Sequence, residues 1–183
     1  RIKPYISVVS SLDLDHVDIY KNHDDLILNF NLFVNKTENL VISHENVLCD
    51  LKIKNTQVKT YYDVPHNVLS QKALKHISLI LPGNHNIANL NAAVVTCLNL
   101  GLKSKQINNA ICDFQGILRR FQFHEREKFV LIEDYAHHPK EISATLNAVS
   151  KIYLNKKITV FFQPHLFSRT GFFLEDFAKS LSI

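Results

Sequence analysis

Glycine is scarce in this 183-residue chain, and its scarcity excludes one kind of nucleotide site. Only four glycines occur, Gly83, Gly101, Gly116 and Gly171. They are too far apart to form the glycine-rich loop that binds phosphate in many nucleotide-binding proteins. If the protein uses a nucleotide, we expect the phosphate loop to lie outside these residues. The chain also begins at Arg1 and contains no methionine, so we expect it to be a piece of a longer protein.

Long apolar stretches and paired cysteines are also missing. No run approaches the roughly 18 uninterrupted apolar residues of a membrane-spanning helix, and no signal peptide is visible. The three cysteines, Cys49, Cys97 and Cys112, are scattered. Their odd number favours reduced side chains in a cytosolic protein over a disulfide frame or a metal site. We therefore expect a cytoplasmic protein with no membrane partner.

The charge of the chain is mild and leaves the class of substrate open. The formal net charge is +4, which fits an anionic substrate, although a composition rich in lysine and asparagine gives the same value. No basic run is interleaved with aromatic residues as in many nucleic-acid-binding proteins, so we expect no nucleic-acid partner. With 46% hydrophobic residues in 183, the chain can form one large domain or two small ones.

A strand–helix–strand pattern dominates the C-terminal third of the chain. Two short apolar runs, 130–132 and 158–162, predict buried strands. Between them, Pro139 suits the first position of a helix, because its missing N–H would be unpaired there anyway. Ile142 and Val149 then lie on one face of that helix. The strands of such a unit are almost always parallel, so the sequence predicts an α/β fold.

Polar side chains follow both predicted strands. They are Glu133, Asp134, Tyr135, His137 and His138 after the first strand, and Gln163 and His165 after the second. In open α/β sheets, ligands bind just beyond the carboxyl ends of the strands. We therefore expect an active site at these residues.

An acidic segment follows another predicted strand, at residues 5–9. Asp13, Asp15, His16 and Asp18 come soon after it and could hold a hard cation or a metal-bound nucleotide. The alternative is a helix start, because aspartate and serine cap the first turn and complement the helix dipole. Spacing alone leaves both interpretations open.

The remaining segments before residue 118 mix helices and strands. Periodicity predicts strands at 40–43, 57–62 and 76–81, and helices at 24–34 and 45–51. Two further helices are predicted to end near Gly101 and Gly116, which suit helix ends. The segment 63–75 is predicted to be irregular, and a last helix is predicted at 172–183.

Two pairs of polar residues stand out in this region. Asn86 and Asn89 lie side by side in the first turn of a predicted helix. Their amides suit the edge of a base such as adenine, with plain helix capping as the alternative. Arg119 and Arg120 suit phosphate or carboxylate, or form a solvated face. We place a domain boundary near residues 116–121.

Several motifs resemble the Mur ligase family. They are DHVD at 15–18 followed by Tyr20, PGNHNIAN at 82–89, FQGILRRF at 114–121, DYAHHP at 134–139, and FQPH at 162–165 with SRT at 168–170. The motifs occur in the family's order and span almost the whole chain. The first two are shared across related ligases, and FQPH with the following Arg-Thr is typical of the members that add alanine.

The resemblance implies a three-domain enzyme of which this chain is one part. Residues 1–117 would form the C-terminal half of the central ATPase domain. Residues 118–183 would form the first part of a Rossmann-like C-terminal domain. The UDP-binding domain and the phosphate loop would precede Arg1, so residues 1–183 alone are expected to be inactive.

The resemblance also implies an activity. Such a ligase uses ATP and Mg²⁺ to join L-alanine to the carboxylate of UDP-N-acetylmuramate through an acyl phosphate, in peptidoglycan synthesis that supports cell shape and division. One alternative is a sibling ligase that attaches a ready-made peptide during cell-wall recycling. Another is a non-catalytic nucleotide-binding remnant. The oligomeric state is left open.

Residue roles follow from the resemblance by position. His16 would bind magnesium, and His85, Asn86 and Asn89 would hold adenine. Arg120 and Asp134 would reach the ribose and phosphates. The acceptor and muramoyl pocket would be lined by Tyr135, His137, His138, His165 and Arg169, with His137, His138 and Arg120 in the chemistry. Three positions depart from the family pattern: Ser11, Glu133 and Leu166.

Overall fold

The N-terminal part of the molecule is a three-stranded parallel sheet covered by helices. The computed structural model describes residues 2–182. Strands β1 (Ile6–Val9), β2 (Leu40–Ser43) and β3 (Gln57–Thr60) pair in that order, all in parallel. Helix α1 (His23–Val34) connects β1 to β2, and helix α2 (Glu45–Leu48) connects β2 to β3. These strands and helices lie where the sequence predicts them, to within three residues at their ends.

The central strand β2 is buried on both faces. Val41 packs on one side with Leu26 and Val34 of α1, while Leu40 and Ile42 pack on the other side. This opposite placement follows from the alternation of side chains along a strand. A continuous apolar run is what a parallel strand with helices on both faces requires.

Helix α3 (Gln71–Ile80) replaces a predicted strand and part of the predicted irregular segment. The strand predicted at 76–81 is wrong. Ser70 caps the helix by accepting a hydrogen bond from the Ala73 N–H at 3.2 Å. Ala73 and Ile77, four residues apart, are buried, whereas Leu79 is exposed. A short apolar run does not by itself distinguish a strand from a buried helix face.

Helices α4 (Asn84–Asn99) and α5 (Ser104–Asp113) follow. Ala92 and Val95 of α4 pack against the face of the sheet that carries Leu40 and Ile42. Helix α4 begins after Gly83, whose φ of 116° and ψ of 145° lie in a region that side chains rarely adopt. Gly83 therefore fixes the direction in which the first turn of α4 starts.

Gly83→Ala is expected to lower the free energy of unfolding by about 1–3 kcal/mol, the cost of holding a non-glycine residue in that backbone region. An added Cβ would also lie 2.7 Å from Cε1 of His85, so the imidazole must move. Urea denaturation monitored by circular dichroism measures the change. Gly171→Ala is the matched control, because a Cβ there meets nothing within 4 Å. Equal effects at the two positions would contradict the backbone explanation.

The C-terminal part contains a two-stranded antiparallel sheet and three helices. Strands β4 (Gln122–Glu125) and β5 (Val130–Glu133) pair antiparallel. They are followed by α6 (Pro139–Ile152), α7 (Phe167–Phe172) and α8 (Leu174–Leu181), with α6 against α8. Pro139 occupies the first turn of α6 as predicted. Strand β4 is not among the predicted elements.

The predicted strand at 158–162 does not form within residues 2–182. Phe161 is 92% exposed, and β5 pairs with β4 in place of a parallel partner. The apolar run therefore lacks neighbouring N–H and C=O groups, and a strand requires such a ladder. The strand–helix–strand prediction is correct for the positions of β5 and α6. It is wrong for the burial of β5, which is mostly exposed, for the parallel pairing and for the second strand.

One hydrophobic cluster joins the two parts of the chain. Phe121, Ala148 and Val149 pack in the same cluster as Ala73 and Ile77 of α3. The turn that leads into this cluster holds two non-glycine residues in the left-handed region, Arg119 at φ 59° and Phe121 at φ 50°. Such positions persist where the surrounding structure holds them. The division into residues 1–117 and 118–183 stays a prediction.

The structure also describes the thiols and the possibility of a membrane-spanning helix. Cys49, Cys97 and Cys112 are free thiols, and Cys49 is exposed. Within residues 2–182, no helix combines the length and the apolar character needed to cross a bilayer.

Candidate active site

The acidic loop, residues 10–20, leaves the sheet from a fixed point. The carbonyl oxygen of Val9 accepts hydrogen bonds from Ser43 Oγ at 2.6 Å and from Tyr61 Oη at 2.9 Å. Burial raises the pKa of the Tyr61 hydroxyl, so this group remains a donor at neutral pH. The loop therefore lies beyond the carboxyl end of β1, where ligand sites of parallel sheets occur.

The acidic loop contacts the C-terminal part through two ion pairs, and we call this contact the seam. Nε of Arg169 donates to Oδ1 of Asp15 at 2.5 Å, and Lys140 pairs with Asp13. The Arg169 side chain is only 2% exposed. Its Nη1 also donates to the carbonyl oxygen of His165 at 3.2 Å. Arg169 thus lies buried at the seam with a carboxylate already bound to it.

His137 lies beside Asp15 at the seam. Its Nε2 is 3.9 Å from Oδ2 of Asp15, and its Nδ1 is 2.7 Å from the carbonyl oxygen of Tyr135. The ring is edge-on to Tyr135, with centroids 4.9 Å apart, and lies 6.4 Å from the ring of His165. Three residues that the resemblance assigns to the acceptor pocket are therefore neighbours.

The adjacent His138 has a different environment. It caps helix α6, with Nδ1 accepting from the Lys140 N–H at 3.3 Å, and its ring packs on Phe173 at 4.9 Å. It is 9% exposed, and its Nε2 has no hydrogen-bond partner among residues 2–182. Structure thus separates two histidines that the sequence treats alike: His137 faces the seam and His138 is a buried cap.

Arg120, Asp134 and Glu141 extend the site away from the seam. The Arg120 guanidinium lies 6.0 Å from the centroid of the Tyr135 ring and 3.6 Å from Oε1 of Glu141. The Asp134 carboxylate accepts from the Phe121 N–H at 3.0 Å and the Ala136 N–H at 2.7 Å. Asp134 therefore holds the strained turn that carries Arg120.

His16 is half-exposed, with Nε2 3.8 Å from Oδ2 of Asp15. Across residues 2–182, no three His, Cys, Asp or Glu side chains come close enough together to enclose a metal ion. Mg²⁺ usually keeps several waters and takes one or two protein ligands plus substrate phosphates. An accessible His16 fits an ion shared with a nucleotide better than an ion enclosed by protein.

A groove of about 390 Å³ lies next to the acidic loop. Ser10 of the loop, Tyr61 and Asn89 are among its lining residues. Asn86 instead donates from Nδ2 to the carbonyl oxygen of Pro82 at 3.1 Å, and the His85 ring lies against Gly83. Of the three predicted adenine contacts, Asn89 alone is a lining residue of this groove.

Comparison with known proteins places the chain in a family. Residues 119–183 match the family model described as Mur ligase, glutamate ligase domain. The chain is 38% identical to the UDP-N-acetylmuramate–L-alanine ligase of Flavobacterium psychrophilum, across 100% of this chain and 44% of that protein. It is 35% identical to the protein of the same name from Christiangramia forsetii, across 100% of this chain and 43% of that protein. The chain belongs to the Mur ligase family.

A solved Mur ligase structure has the same fold. The UDP-N-acetylmuramate–alanine ligase of Thermotoga maritima aligns with a TM-score of 0.66 and 22% identity, over 98% of this chain and 44% of that one. The chain spans less than half the length of these relatives. The α/β fold of a partial Mur ligase chain is thereby confirmed.

Two residues of this site make contacts that the sequence analysis does not predict. Asp15 is part of the DHVD motif, but its partner Arg169 is 154 positions away, and no local pattern reveals that pair. Glu141 could have been found, because His138-Pro139-Lys140-Glu141 has the spacing of a capping box.

Proposed function

We propose that the full-length protein containing this chain joins L-alanine to the carboxylate of UDP-N-acetylmuramate in peptidoglycan precursor synthesis. The seam carries the proposal, because a buried arginine and a histidine with one nitrogen facing Asp15 meet there. The relatives that match this chain along its whole length are named for the same two substrates. We place the reaction in the cytoplasm, where its nucleotide substrates are made.

The chemistry brings several anions together. ATP phosphorylates the lactyl carboxylate, giving an acyl phosphate. The lone pair of the alanine nitrogen then attacks the acyl carbon, the carbon–oxygen bond to phosphate breaks, and phosphate leaves with that electron pair. The amine must first lose its ammonium proton, which Nε2 of His137 would accept as a general base. Positive groups would offset the charge that gathers during the transfer.

Arg169 and its neighbours would recognise the acceptor. Its guanidinium already binds the Asp15 carboxylate and the His165 carbonyl, so a carboxylate is a fitting partner at this place. The carboxylate of alanine would exchange with that of Asp15 or use the remaining N–H groups. Tyr135 and His165 border the His137 ring and would contact the two substrates.

The nucleotide would be held mainly by the N-terminal part. Asn89, Asn86 and His85 would contact adenine, since Asn89 lines the groove beside the acidic loop. Arg120 would reach the ribose and phosphates from the strained turn, and Asp134 would do so from the end of β5. A magnesium ion would offset phosphate charge, with His16 as its protein ligand. Residues 1–117 and 118–183 would then be portions of the ATPase and C-terminal domains.

An assay with two acceptors tests the function. The full-length protein is incubated with ATP, Mg²⁺, UDP-N-acetylmuramate and either L-alanine or the tripeptide, and the products are identified by mass spectrometry. We expect UDP-N-acetylmuramoyl-L-alanine. Ligation of the tripeptide alone would favour the recycling sibling, and no product with either acceptor would favour a non-catalytic nucleotide-binding protein.

His16→Ala in the full-length enzyme is expected to raise the magnesium concentration for half-maximal rate at least about tenfold and to lower turnover. Even the loss of an outer-shell partner of a metal ligand typically lowers metal affinity or activity about 10–100-fold. A magnesium titration of the ligation rate measures the change. His66→Ala is the control, since His66 is also exposed and lies outside the site. An unchanged magnesium dependence would remove His16 from the metal site.

A further inference from the structure

We propose that Glu141 is a positioning residue that holds His137 with Nε2 facing the seam and places a negative charge beside the ring as Nε2 accepts a proton. The inference rests on the proposed ligase function and assigns a role to a residue that the family resemblance leaves without one. It follows from the hydrogen-bond partners of a single carboxylate.

One oxygen of Glu141 contacts the site at three points. Oε2 accepts from the His137 backbone N–H at 2.9 Å and from the His138 backbone N–H at 3.3 Å. The same oxygen lies 3.6 Å from Nδ1 of the His137 ring. Oε1 lies 3.6 Å from Nη1 of Arg120. Glu141 therefore connects the seam histidine to the arginine on the opposite side of the site.

The neighbours of Nδ1 in His137 decide which ring nitrogen carries the proton. The Tyr135 carbonyl oxygen at 2.7 Å and the Glu141 carboxylate at 3.6 Å are both acceptors that cannot donate. Nδ1 must therefore be the protonated nitrogen of the neutral ring. Nε2 then carries the lone pair, and this nitrogen is the one that lies 3.9 Å from Asp15 at the seam.

Two carboxylates lie beside the His137 ring and would stabilise its positive charge. When Nε2 takes the ammonium proton of alanine, the ring becomes a cation with Glu141 on its Nδ1 side and Asp15 on its Nε2 side. A carboxylate that orients the ring and stabilises the imidazolium is the arrangement that makes histidine an effective base. The proton moves from nitrogen to nitrogen, and the freed amine lone pair forms the new bond to the acyl carbon.

Glu141 also caps helix α6, and this role must be separated from the proposed one. In a capping box, glutamine at the third helical position accepts from the N-cap backbone as glutamate does. Glu141→Gln therefore keeps the acceptor for the backbone N–H groups and removes the negative charge. The Tyr135 carbonyl oxygen, 2.7 Å from Nδ1, remains in place to orient the His137 ring.

Two reactions of the full-length enzyme separate the outcomes for Glu141→Gln. Alanine ligation needs the ammonium proton removed, whereas trapping of the acyl phosphate by hydroxylamine uses a nucleophile that is already neutral. We expect the rate of alanine ligation to fall at least about tenfold. A general base typically accelerates a reaction by roughly 10²–10⁴-fold, and Glu141→Gln should remove part of that acceleration. Hydroxamate formation should stay at the wild-type rate, and the melting temperature should stay within about 2 °C.

Nitrogen-15 NMR of histidine-labelled protein gives an independent signature. The His137 ring should show a protonated Nδ1 in both the wild-type enzyme and Glu141→Gln, because the Tyr135 carbonyl oxygen accepts from it in both. A loss of ligation in Glu141→Gln would then reflect the missing charge and not a turned ring. Glu175→Gln, in the first turn of α8, is the control for removing a helix-terminal glutamate and should change neither reaction.

Each result has a distinct meaning. Wild-type alanine ligation in Glu141→Gln, or an equal loss of ligation and hydroxamate formation, would overturn the positioning role. Absence of both the alanine product and hydroxamate with the unmodified enzyme would instead show that the proposed ligase function is wrong, irrespective of Glu141.

Discussion

His137→Asn in the full-length enzyme is expected to lower the rate of alanine ligation by about 10²–10⁴-fold, the usual contribution of a general base. Asparagine keeps a donor near the position of Nδ1, which can still reach the Tyr135 carbonyl oxygen. It places no basic nitrogen where Nε2 faces Asp15. The substitution therefore removes the proton acceptor and leaves the local hydrogen bonding largely intact. The single-turnover rate of product formation measures the effect.

The matched control is His138→Asn. Asparagine is among the best N-cap residues, so it can replace the cap that His138 provides to α6. We expect ligation within about threefold of wild type, the contribution of the general base remaining at His137, because the cap of α6 survives and His138 packs on Phe173 away from the seam. If His138→Asn lost more activity than His137→Asn, the assignment of the base to His137 would be wrong.

Asp15→Asn is expected to lower the free energy of unfolding by about 3 kcal/mol. Removing one partner of a buried ion pair costs about 3–5 kcal/mol, because the remaining charge is left uncompensated. Arg169 is 2% exposed and Asp15 is 28% exposed, which places this pair at the lower end of that range. The midpoint and slope of urea denaturation provide the measurement.

A second ion pair at the seam provides the comparison. Lys140 and Asp13 join the same loop to the C-terminal part, but their side chains are 72% and 39% exposed. Exposed pairs contribute about 0.2–1 kcal/mol, so Asp13→Asn should change stability by less than about 1 kcal/mol. Similar losses in the two variants would show that the burial of Arg169 does not determine the strength of the seam.

Local sequence patterns predict much of the N-terminal fold. The apolar run at residues 40–43 is buried on both faces, and it forms the strand that such a run predicts. The run at 76–81 is similar in composition but lies in helix α3, because Ser70 caps a helix whose buried residues recur four apart. The residue that favours a helix over a strand lies upstream of the second run, at the helix cap. The apolar residues of the run do not reveal it.

The candidate site was predictable by residue type and less so by arrangement. His137, Arg169 and His16 are visible as members of motifs. Their convergence on Asp15 depends on the packing of segments that are far apart in the chain, which periodicity does not describe. The distinction between His137 and His138 likewise depends on burial and on the helix start, because adjacent identical side chains look alike in sequence.

The cluster that joins Phe121, Ala148 and Val149 to Ala73 and Ile77 constrains how the two parts of the chain can move. A free swing about residues 116–121 would expose these side chains to water, at a cost proportional to the apolar area uncovered. Motion that keeps the cluster closed has to slide one packed surface over the other, by the small displacements typical of shear. Relative movement of the two parts would then begin as a sliding of helices, and the polar contacts of the seam would open first.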